Sequence, residues 1–326
     1  MAVPLQKSDG EQKKILTGRK RGKAVEEKRE KPVFIMMCGL PGAGKSVMAA
    51  KLAQEYGAKL ISTDEICREL YHTVQVESRQ KQKVYEIAYQ RIQEAIEMER
   101  PIVYDSENVS LKKRKAILTD PVRKTYRLIC KLLAVPYEIC VEQDRKHPDS
   151  VGEETIHRMI GAFTAPYYYE GFDEIDVIYH PDTVFESAED FLKKYDDYGQ
   201  DNPYHNMTLG QHCRKCAELL RSKGADDEMI LAGKLHDCGK PFCRTYTKQN
   251  GRKDKYAHYY GHEYAGSYLS LFYEGATIFT AMLIAWHMRP GMVWKNGIHK
   301  KDYQYLGKEL YEKIALFHEC DREAHE

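Results

Sequence analysis

A glycine-rich run close to the start of the chain has the spacing of a phosphate-binding loop. Residues 39–46 read Gly-Leu-Pro-Gly-Ala-Gly-Lys-Ser and fit the pattern G-x-x-x-x-G-K-[ST]. The glycines allow backbone N–H groups to turn inward around phosphate oxygens, and a helix beginning at the lysine adds the positive end of its dipole. Lys45 then reaches the β- and γ-phosphates of ATP, and the hydroxyl of Ser46 binds Mg²⁺. The predicted nucleotide-binding residues of this loop are Gly39, Gly42, Ala43, Gly44, Lys45, Ser46 and Val47.

Carboxylates follow the next two predicted strands. Asp64 lies two residues beyond the second predicted strand, and Asp105 ends the third. Ligands of doubly wound sheets bind outside the carboxyl ends of the strands, which is the edge that carries the loop. A carboxylate there can accept the proton of an attacking hydroxyl. The pattern predicts phosphoryl transfer with Lys45 and Asp64 as catalytic residues. Asp105 is assigned to the nucleotide site, and Asn108 is a candidate substrate contact.

The order of these motifs resembles a known family of kinases. G-x-P-G-x-G-K-S, then S-T-D-E-I-C-R-E-L, then V-Y-D-S-E-N is similar to the phage-type polynucleotide 5′-kinases and related small P-loop kinases, over residues 33–180. The resemblance implies that Asp64 is the general base toward a 5′-hydroxyl. It also implies a mobile lid that supplies arginines to the phosphates. The lid would comprise residues 143–147, with Arg145 as the catalytic and nucleotide-binding arginine, and the following helix with Arg158.

The chain departs from that family at one position. The family usually has an arginine three residues after the base, where this chain has Cys67 followed by Arg68. Arg68 is therefore the candidate contact to the phosphoryl acceptor. Four consecutive basic residues, 112–115, could contact a nucleic-acid backbone, but a charged and solvated helix face is the favoured interpretation.

Histidines concentrate in the second half of the chain, where nine of the thirteen lie after residue 200. The adjacent pair His236 and Asp237 offers one imidazole and one carboxylate to a single ion or an ion pair. Further ligands must come from neighbouring helices, because one helix presents only a narrow stripe of side chains. Imidazole with carboxylate suits Mn²⁺, Fe²⁺, Co²⁺, Ni²⁺ or Zn²⁺, and the pattern does not choose among them. Such a metal would polarise a phosphate and lower the pKa of bound water.

Four segments of this half resemble the motifs of the HD phosphohydrolase superfamily, most closely the branch attached to tRNA nucleotidyltransferases. They are L-H-D-C-G-K-P at 235–241, Y-G-H-E at 260–263, A-W-H at 285–287 and F-H-E-C-D-R-E-A-H at 317–325, and the likeness spans roughly residues 203–326. It implies a basic metal set of His212, His236, Asp237 and Asp321. It implies in addition that His262 and His287 complete a second site or contact phosphate. Lys240 is a candidate phosphate contact.

The remaining histidines and cysteines carry weaker signals. His205 and His258 are assigned to structural or substrate-facing roles. Cys213 and Cys216 form a C-x-x-C on a helical pattern without a second pair, so packing explains them better than metal binding. Nine scattered cysteines, with no signal peptide and no apolar run of membrane length, predict a cytoplasmic protein without a membrane partner.

The pattern of apolar residues predicts two kinds of architecture. Up to residue 181 short apolar runs alternate with amphipathic stretches, which predicts an α/β P-loop NTPase domain with a doubly wound parallel sheet. After residue 181 the spacing is helical and predicts an all-α HD domain. The predicted strands are 33–37, 59–62, 102–105, 128–135 and 175–179. The predicted helices are 45–56 and 78–98, then 207–223, 226–237, 262–273, 277–288 and 304–320.

These elements divide the chain into four predicted segments. Residues 1–31 hold ten Lys/Arg against five acids and predict a disordered tail, either solvated or in contact with nucleic acid. Residues 32–182 form the kinase domain, 183–204 a linker and 205–326 the metal-dependent domain. The formal net charge of the whole chain is +1, so the global charge does not favour nucleic acid or membrane.

A kinase and a phosphohydrolase on one chain are expected to serve one substrate. Broken RNA carries a 5′-hydroxyl and a 2′,3′-cyclic phosphate, and the chain resembles kinase–HD fusions that heal such ends. We therefore predict a 5′-hydroxyl polynucleotide kinase with 2′,3′-cyclic phosphodiesterase and 3′-phosphatase activity on RNA or DNA ends, with an RNA ligase acting downstream. The alternatives are a nucleoside or sugar kinase with a nucleotidase, a toxin-like kinase acting on a sugar nucleotide, and a kinase regulated by a nucleotide-sensing HD module.

Overall fold

The apolar runs of the first half form the strands of a parallel sheet. The computed structural model describes residues 30–203, 206–294 and 297–325. Within them the strands are β1 (Val33–Cys38), β2 (Lys59–Ser62), β3 (Ile102–Asp105), β4 (Arg127–Ala134) and β5 (Glu174–Tyr179). They pair in the order β2-β3-β1-β4-β5, always in parallel. The central strand β1 is buried after Val33, as expected for a strand covered on both faces. The predicted parallel sheet is confirmed.

Amphipathic helices connect these strands. They are α1 (Lys45–Glu55), α2 (Thr63–Tyr71), α3 (Ser78–Glu97), α4 (Leu111–Ile117), α5 (Asp120–Thr125), α6 (Tyr137–Lys146) and α7 (Glu153–Ile160). The longest, α3, buries Val84, Ala88, Ile92 and Ala95, which recur three or four positions apart and so share one face. We refer to residues 30–182 as the P-loop half.

The register of the strands brings the predicted catalytic segments to one edge of the sheet. Ser62 at the end of β2 is paired with Asp105 at the end of β3, and Met36 in β1 is paired with Tyr104. The loop that follows β1 therefore leaves the sheet beside the segments that follow β2 and β3. A backbone hydrogen bond of 3.3 Å from the Gly39 N–H to the Glu107 carbonyl joins two of these segments.

The rest of the chain, residues 183–325, is the helical half. Its helices are α8 (Ala188–Lys194), α9 (Leu209–Ser222), α10 (Asp227–Leu235), α11 (Lys240–Cys243), α12 (His262–Leu269), α13 (Ile278–Trp286), α14 (Arg289–Val293), α15 (Lys300–Leu306) and α16 (Lys308–Glu323). Among the helices that the structure describes, none combines the length and hydrophobicity that a membrane crossing requires.

The helical half differs from its predicted elements in two places. A two-stranded antiparallel hairpin, β6 (Thr245–Thr247) and β7 (Lys253–His258), separates α11 from α12. Its turn contains Asn250-Gly251, and Gly251 has a φ of 81°, which is the backbone conformation that favours this dipeptide in tight hairpins. The predicted helix 304–320 is in fact two helices, because Gly307 with a φ of 78° ends α15 and precedes α16.

The predicted linker, 183–204, contains a packed helix. The side chain of Ser187 accepts a hydrogen bond of 3.1 Å from the Asp190 N–H and caps the start of α8, which buries Phe191 and Leu192. This helix packs against α9 and α10 and so belongs to the helical half. The predicted tail, 1–31, lies outside the described residues except for its last two positions, and His205 lies outside them as well.

The two halves share a continuous core. The hydroxyl of Tyr268 in α12 donates a 2.6 Å hydrogen bond to the carbonyl of Val135, directly after β4. The ring of Phe163 packs edge-on against the same tyrosine, with centroids 4.9 Å apart. The indole N–H of Trp286 donates to the Tyr169 hydroxyl at 3.0 Å. Lys31–Glu326 accordingly form one compact unit.

Candidate active sites

The glycines of the phosphate-binding loop allow a tight turn between β1 and α1. Gly42 and Gly44 have φ angles of 77° and 84°, which other residues rarely adopt. A Cβ atom on Gly42 would lie 2.2 Å from the carbonyl oxygen of Cys140 in α6, so the loop packs directly against that helix. Gly44 immediately precedes α1, and the Lys45 ammonium donates a 2.8 Å hydrogen bond to the Leu40 carbonyl.

A cavity of about 850 Å³ opens in front of this loop. Gly39 and Ala43 of the predicted set are buried and do not line it. The other predicted nucleotide-binding residues of the loop line the cavity, and they are joined there by both predicted carboxylates. The lining residues from the prediction are Gly42, Gly44, Lys45, Ser46, Val47, Asp64, Arg68 and Asp105. The structure thus brings together side chains that can bind a triphosphate and a carboxylate that can accept a proton.

The electrostatics of the two carboxylates suit proton transfer. Burial raises the pKa of Asp64, and the neighbouring charge of Asp105 raises it further. Burial also raises the pKa of Asp105, although Lys45 and the hydroxyls of Ser46 and Ser62 oppose that effect. A carboxylate with a raised pKa is a stronger base than one with the ordinary pKa, as abstraction of a hydroxyl proton requires.

The two arginines of the predicted lid differ in whether they line the cavity. Arg145, at the end of α6, bonds Glu153 at the start of α7 at 2.5 Å, and its side chain is 66% exposed. Arg158 in α7 lines the cavity, which Arg145 does not. Arg68 also lines the cavity and is paired with Asp149 at 2.8 Å. Of these three arginines, Arg68 and Arg158 therefore line the cavity and Arg145 does not.

Two residues predicted to face substrate or solvent are buried structural groups. The side-chain amide of Asn108 donates a 2.7 Å hydrogen bond to the Met37 carbonyl and fixes the end of β1. Arg114, from the basic run 112–115, is fully buried, and two of its guanidinium nitrogens bond the carboxylate of Glu170 at 2.8 Å each. The charged-face interpretation is therefore wrong for Arg114. A run of consecutive basic residues does not reveal that one of them has a buried partner elsewhere in the chain.

A second group of side chains converges in the helical half. His212 comes from α9, His236 and Asp237 follow α10, and Asp321 lies near the end of α16. The Nε2 atoms of His212 and His236 lie 3.1 Å apart. The Asp321 Oδ1 lies 3.1 Å from the first and 3.2 Å from the second. All four side chains are buried, although up to 109 positions separate them in the sequence.

His262 and His287 extend this group. The His262 Nε2 lies 3.2 Å from the Asp237 Oδ1, and the His287 ring lies 5.3 Å from those of His236 and His262. The six side chains, His212, His236, Asp237, His262, His287 and Asp321, are called the His/Asp cluster. Overlapping triads within it place their ligand atoms within 4.8 Å of one another.

Backbone carbonyls determine which nitrogen of three histidines faces the cluster. The Nδ1 atoms of His236, His262 and His287 lie 2.8, 2.8 and 2.7 Å from the carbonyl oxygen three residues earlier. A carbonyl only accepts, so each Nδ1 carries the proton and each Nε2 turns its lone pair toward the cluster. Lone pairs that face carboxylate oxygens at about 3.2 Å repel unless a proton or a cation lies between them. The donor set therefore fits divalent cations.

The pKa shifts of the cluster also indicate that positive charge is stabilised there. Burial would lower the pKa of His236, but the carboxylate of Asp237 outweighs it and the pKa lies well above its ordinary value. Burial opposes ionisation of Asp237, yet Lys240 and His236 hold its pKa well below the usual range. Burial lowers the pKa of His287 to about 3, so this imidazole is neutral and able to bind a metal.

Lys240 reaches the cluster from α11. Its ammonium lies 2.7 Å from the Asp237 Oδ2 and 2.7 Å from the Gln200 Oε1. A second cavity of about 220 Å³ exposes one side of the cluster to solvent, and Lys240, His258 and His325 line it. Cys213 and Cys216 are buried in α9, consistent with packing.

Sequence reasoning missed His325 as a residue of this site. Its ring stacks on that of His212 with centroids 4.4 Å apart, and its Nε2 lies 3.9 Å from the Asp321 Oδ1. The available signal was its spacing, because a residue four positions after Asp321 lies on the same helix face.

A family match supports the assignment of the P-loop half. A protein-family model described as an AAA domain matches residues 34–166, and a search of curated proteins found no match. A chain of the Pnkp1/Rnl/Hen1 RNA repair complex is 16% identical with a TM-score of 0.37, covering 41% of this chain and 44% of that one. This chain thus spans less than half the length of that protein.

Two small-molecule kinases resemble this chain with comparable identities and TM-scores. A gluconokinase from Sinorhizobium meliloti 1021 is 13% identical with a TM-score of 0.35, covering 46% of this chain and 84% of that one. Shikimate kinase from Acinetobacter baumannii is 18% identical with a TM-score of 0.32, covering 45% and 84%. The family match and the parallel sheet together show that the P-loop half is a P-loop kinase-like α/β domain, compatible with ATP and Mg²⁺.

Proposed function

We propose that the chain is a bifunctional enzyme that heals nucleic-acid ends, foremost those of RNA. Its P-loop half transfers a phosphoryl group from ATP to a 5′-hydroxyl. Its helical half is an HD-type phosphohydrolase that opens a 2′,3′-cyclic phosphate and removes the resulting 3′-phosphate. The observation that carries this proposal is the buried His/Asp cluster in the same compact unit as the phosphate-binding cavity.

The P-loop half supplies what kinase chemistry needs. Lys45 and the loop backbone hold the phosphates of ATP, and the Ser46 hydroxyl binds their Mg²⁺. Asp64 accepts the proton of the attacking hydroxyl, and its raised pKa makes it a suitable base. Arg68 and Arg158 line the same cavity and neutralise charge on the transferring phosphoryl group.

The helical half supplies what metal-dependent hydrolysis needs. His212, His236, Asp237 and Asp321 would hold one divalent cation, and His262 and His287 would complete a second position. A cation held there would polarise the phosphate and provide hydroxide near neutral pH. Lys240 lies beside Asp237 at the edge of the second cavity, where it can bind a phosphate oxygen.

The two opposite reactions favour a polymer with two ends as the substrate. A kinase and a phosphatase that act on the same hydroxyl would undo one another, and a cell would gain nothing from joining them. On a broken RNA they act at different ends, one adding a 5′-phosphate and the other removing a 3′-phosphate. The resulting ends are those that an RNA ligase joins, so a ligase is the expected downstream partner.

Transfer of labelled phosphate tests the kinase assignment. We expect the protein to move the γ-phosphate of ATP to a 5′-hydroxyl RNA oligomer, and Lys45→Ala and Asp64→Ala to abolish the transfer. The same variants should retain hydrolysis at a 2′,3′-cyclic end, which serves as the control for folding. Transfer to a nucleoside or a sugar but not to the oligomer would instead identify a small-molecule kinase.

A further inference from the structure

The hairpin between α11 and α12 concentrates positive charge and aromatic rings. Residues 245–260, here called the basic hairpin, contain four basic residues against a single acid, whereas the whole chain has a net charge of only +1. The basic residues are Lys248, Arg252, Lys253 and Lys255, and the tyrosines are Tyr246, Tyr256, Tyr259 and Tyr260. This segment follows α11, which begins three residues after Asp237, and precedes α12, which begins with His262.

The basic hairpin ends at the opening of the second cavity. His258, Tyr259 and Tyr260 line that cavity together with members of the His/Asp cluster. The rings of His258 and Tyr260 are stacked, with an angle of 7° between their planes and 5.2 Å between their centroids. Tyr260 nevertheless remains 43% exposed. An exposed aromatic ring at the mouth of a hydrolytic cavity offers a stacking surface to a planar group.

The one acid of the basic hairpin does not cancel its charge. Asp254 is already engaged by the Lys248 ammonium at 3.2 Å and by the His258 ring at 3.0 Å. Arg252, Lys253 and Lys255 are exposed, and the Lys255 ammonium lies 4.7 Å from the centroid of the Tyr256 ring. An exposed cation-and-ring surface of this kind is typical of single-stranded nucleic-acid binding.

The base of the hairpin is held firmly against the helical half. The Ala257 N–H donates to the Asp201 carbonyl at 2.9 Å, and the Asn202 amide donates to the Ala257 carbonyl at 3.1 Å. Arg244 pairs with Asp201 and lies 4.8 Å from the centroid of the Tyr198 ring. The six residues of β7 span about 20 Å, so the lysine that begins the strand lies well away from the cavity. Its charge would reach phosphates that precede the reacting end.

We propose that the basic hairpin is the site that binds single-stranded RNA and directs its 3′ end to the His/Asp cluster. The terminal base stacks on Tyr260, and the preceding phosphates contact Arg252, Lys253 and Lys255. This inference rests on the proposed function and adds to it, because it names the residues that distinguish a polymer from a mononucleotide. Stacking on aromatic rings and contact with a flexible backbone are the ordinary means of recognising single strands.

Binding of an RNA that neither site can process tests the inference without requiring catalysis. The probe is a fluorescein-labelled single-stranded RNA with a 5′-phosphate and a 3′-hydroxyl, followed by anisotropy. The triple variant Arg252→Ala/Lys253→Ala/Lys255→Ala should weaken its Kd about tenfold. The slope of log Kd against log salt should fall by about two, as expected when three phosphate contacts on a single strand are lost. The matched control Lys193→Ala/Lys301→Ala/Lys308→Ala should bind as the unchanged protein does. Equal Kd and slope for the two triple variants would overturn the inference.

Hydrolysis kinetics separate stacking from charge. We expect Tyr260→Ala to raise KM about tenfold for an oligomer ending in a 2′,3′-cyclic phosphate, and Tyr260→Phe to restore it, because the ring and not the hydroxyl binds the base. The basic triple variant should raise KM for the oligomer more than for a nucleoside 2′,3′-cyclic monophosphate. Unchanged KM values in active variants would overturn the inference and leave the proposed function standing. Inactivity of the unaltered protein on every RNA end would reject the proposed function, and the binding assay would still decide the inference.

Discussion

At the scale of single residues, hydrogen bonds to backbone carbonyls decide how the histidines of the cluster act. His236, His262 and His287 each direct Nδ1 to the carbonyl three residues earlier, so each Nε2 faces the carboxylates. The lone pairs of these Nε2 atoms therefore face negatively charged carboxylate oxygens inside a buried site. Such an arrangement is stable when a cation lies among the donors.

Metal content is the first prediction at this scale. His236→Ala removes a central donor, so the bound transition metal measured by inductively coupled plasma mass spectrometry should fall to near zero. Chelation should lower the Tm of the unaltered protein, because a metal that binds the folded state stabilises it, and should leave the Tm of the variant unchanged. His72→Ala in the P-loop half is the control and should keep its metal. A variant that retains the metal would count against the cluster as a metal site.

The pH dependence of the kinase reaction follows from the raised pKa of Asp64. The base must be ionised to accept a proton, and burial and the charge of Asp105 both favour its protonated form. The rate should therefore fall on acidification at a pH above the ordinary aspartate value of about 4. Asp105→Asn removes the like charge, so the acidic limb of the kcat/KM profile should move to lower pH whatever the absolute rate. A limb that stays in place or moves upward would contradict the coupling of the two carboxylates.

The buried pair of Arg114 and Glu170 predicts a large change in stability. Arg114→Met leaves the carboxylate of Glu170 buried without its cation, which should lower the free energy of unfolding by about 3–5 kcal/mol. Urea denaturation measures this change, and Arg114→Met/Glu170→Leu should recover a large part of it. Lys112→Ala, two positions away and exposed, should change stability by less than about 0.5 kcal/mol. Comparable losses in Arg114→Met and Lys112→Ala would show that the ion pair contributes little.

The residue types of both sites could be predicted from the sequence, but several of their positions could not. The loop motif identifies Lys45, the end of a predicted strand identifies Asp64, and the histidine motifs identify His236 and Asp237, because these positions are tied to local structure. Side-chain direction is not tied to spacing in that way. Arg145 pairs with Glu153, and Arg158 lines the cavity instead. Asn108 does not face the cavity as a substrate contact would, because its amide bonds the Met37 carbonyl in β1.

At the scale of elements, strands that are apolar throughout were predictable and short polar ones were not. Strand β1 is recognised from five consecutive apolar residues, because a strand buried on both faces needs them. Strand β7 has the sequence Lys-Asp-Lys-Tyr-Ala-His and buries only Ala257, so its composition does not distinguish it from a loop. Its turn, Asn250-Gly251, was the better signal.

The contact between the phosphate-binding loop and α6 gives a prediction for one glycine. Gly42→Ala would place a Cβ 2.2 Å from the Cys140 carbonyl, so the loop and the helix would have to separate. Kinase activity should fall about 100-fold, the usual cost of displacing catalytic groups by an ångström, while hydrolysis at the 3′ end remains.

Gly57→Ala is the matched control for this variant. Gly57 also has a positive φ, of 57°, yet no heavy atom among the described residues lies within 4 Å of the position of its Cβ. It should lose about 1 kcal/mol of stability and little kinase activity. Equal kinase losses in the two variants would point to backbone strain as the cause and not to the contact with α6.

At the scale of the whole molecule, the two halves are joined by a buried interface. Tyr268 bonds Val135, and Trp286 bonds Tyr169, in the core that lies between the parallel sheet and the helices. The phosphate-binding cavity and the His/Asp cluster are carried on one compact unit. This arrangement would suit the proposed substrate, whose two ends are treated in turn.

The shared core predicts that the halves unfold together. Both tryptophans of the chain, Trp286 and Trp294, belong to the helical half, so their fluorescence reports on that half, whereas far-UV circular dichroism reports on both. The two probes should give coincident transitions in urea. Tyr268→Phe removes the 2.6 Å hydrogen bond and should lower the free energy of unfolding by about 1 kcal/mol without separating the transitions. Distinct midpoints for the two probes would mean that the halves are independent.

The most direct measurement uses one RNA strand that carries both kinds of damaged end. A single-stranded RNA with a 5′-hydroxyl and a 2′,3′-cyclic phosphate is incubated with ATP, Mg²⁺ and Mn²⁺, and mass spectrometry determines both termini. The account predicts a 5′-phosphate and a 3′-hydroxyl with the unaltered protein, a healed 3′ end alone with Asp64→Ala, and a phosphorylated 5′ end alone with Asp237→Asn. Recovery of the RNA with both original ends, from a protein that has bound its metal, would contradict the account.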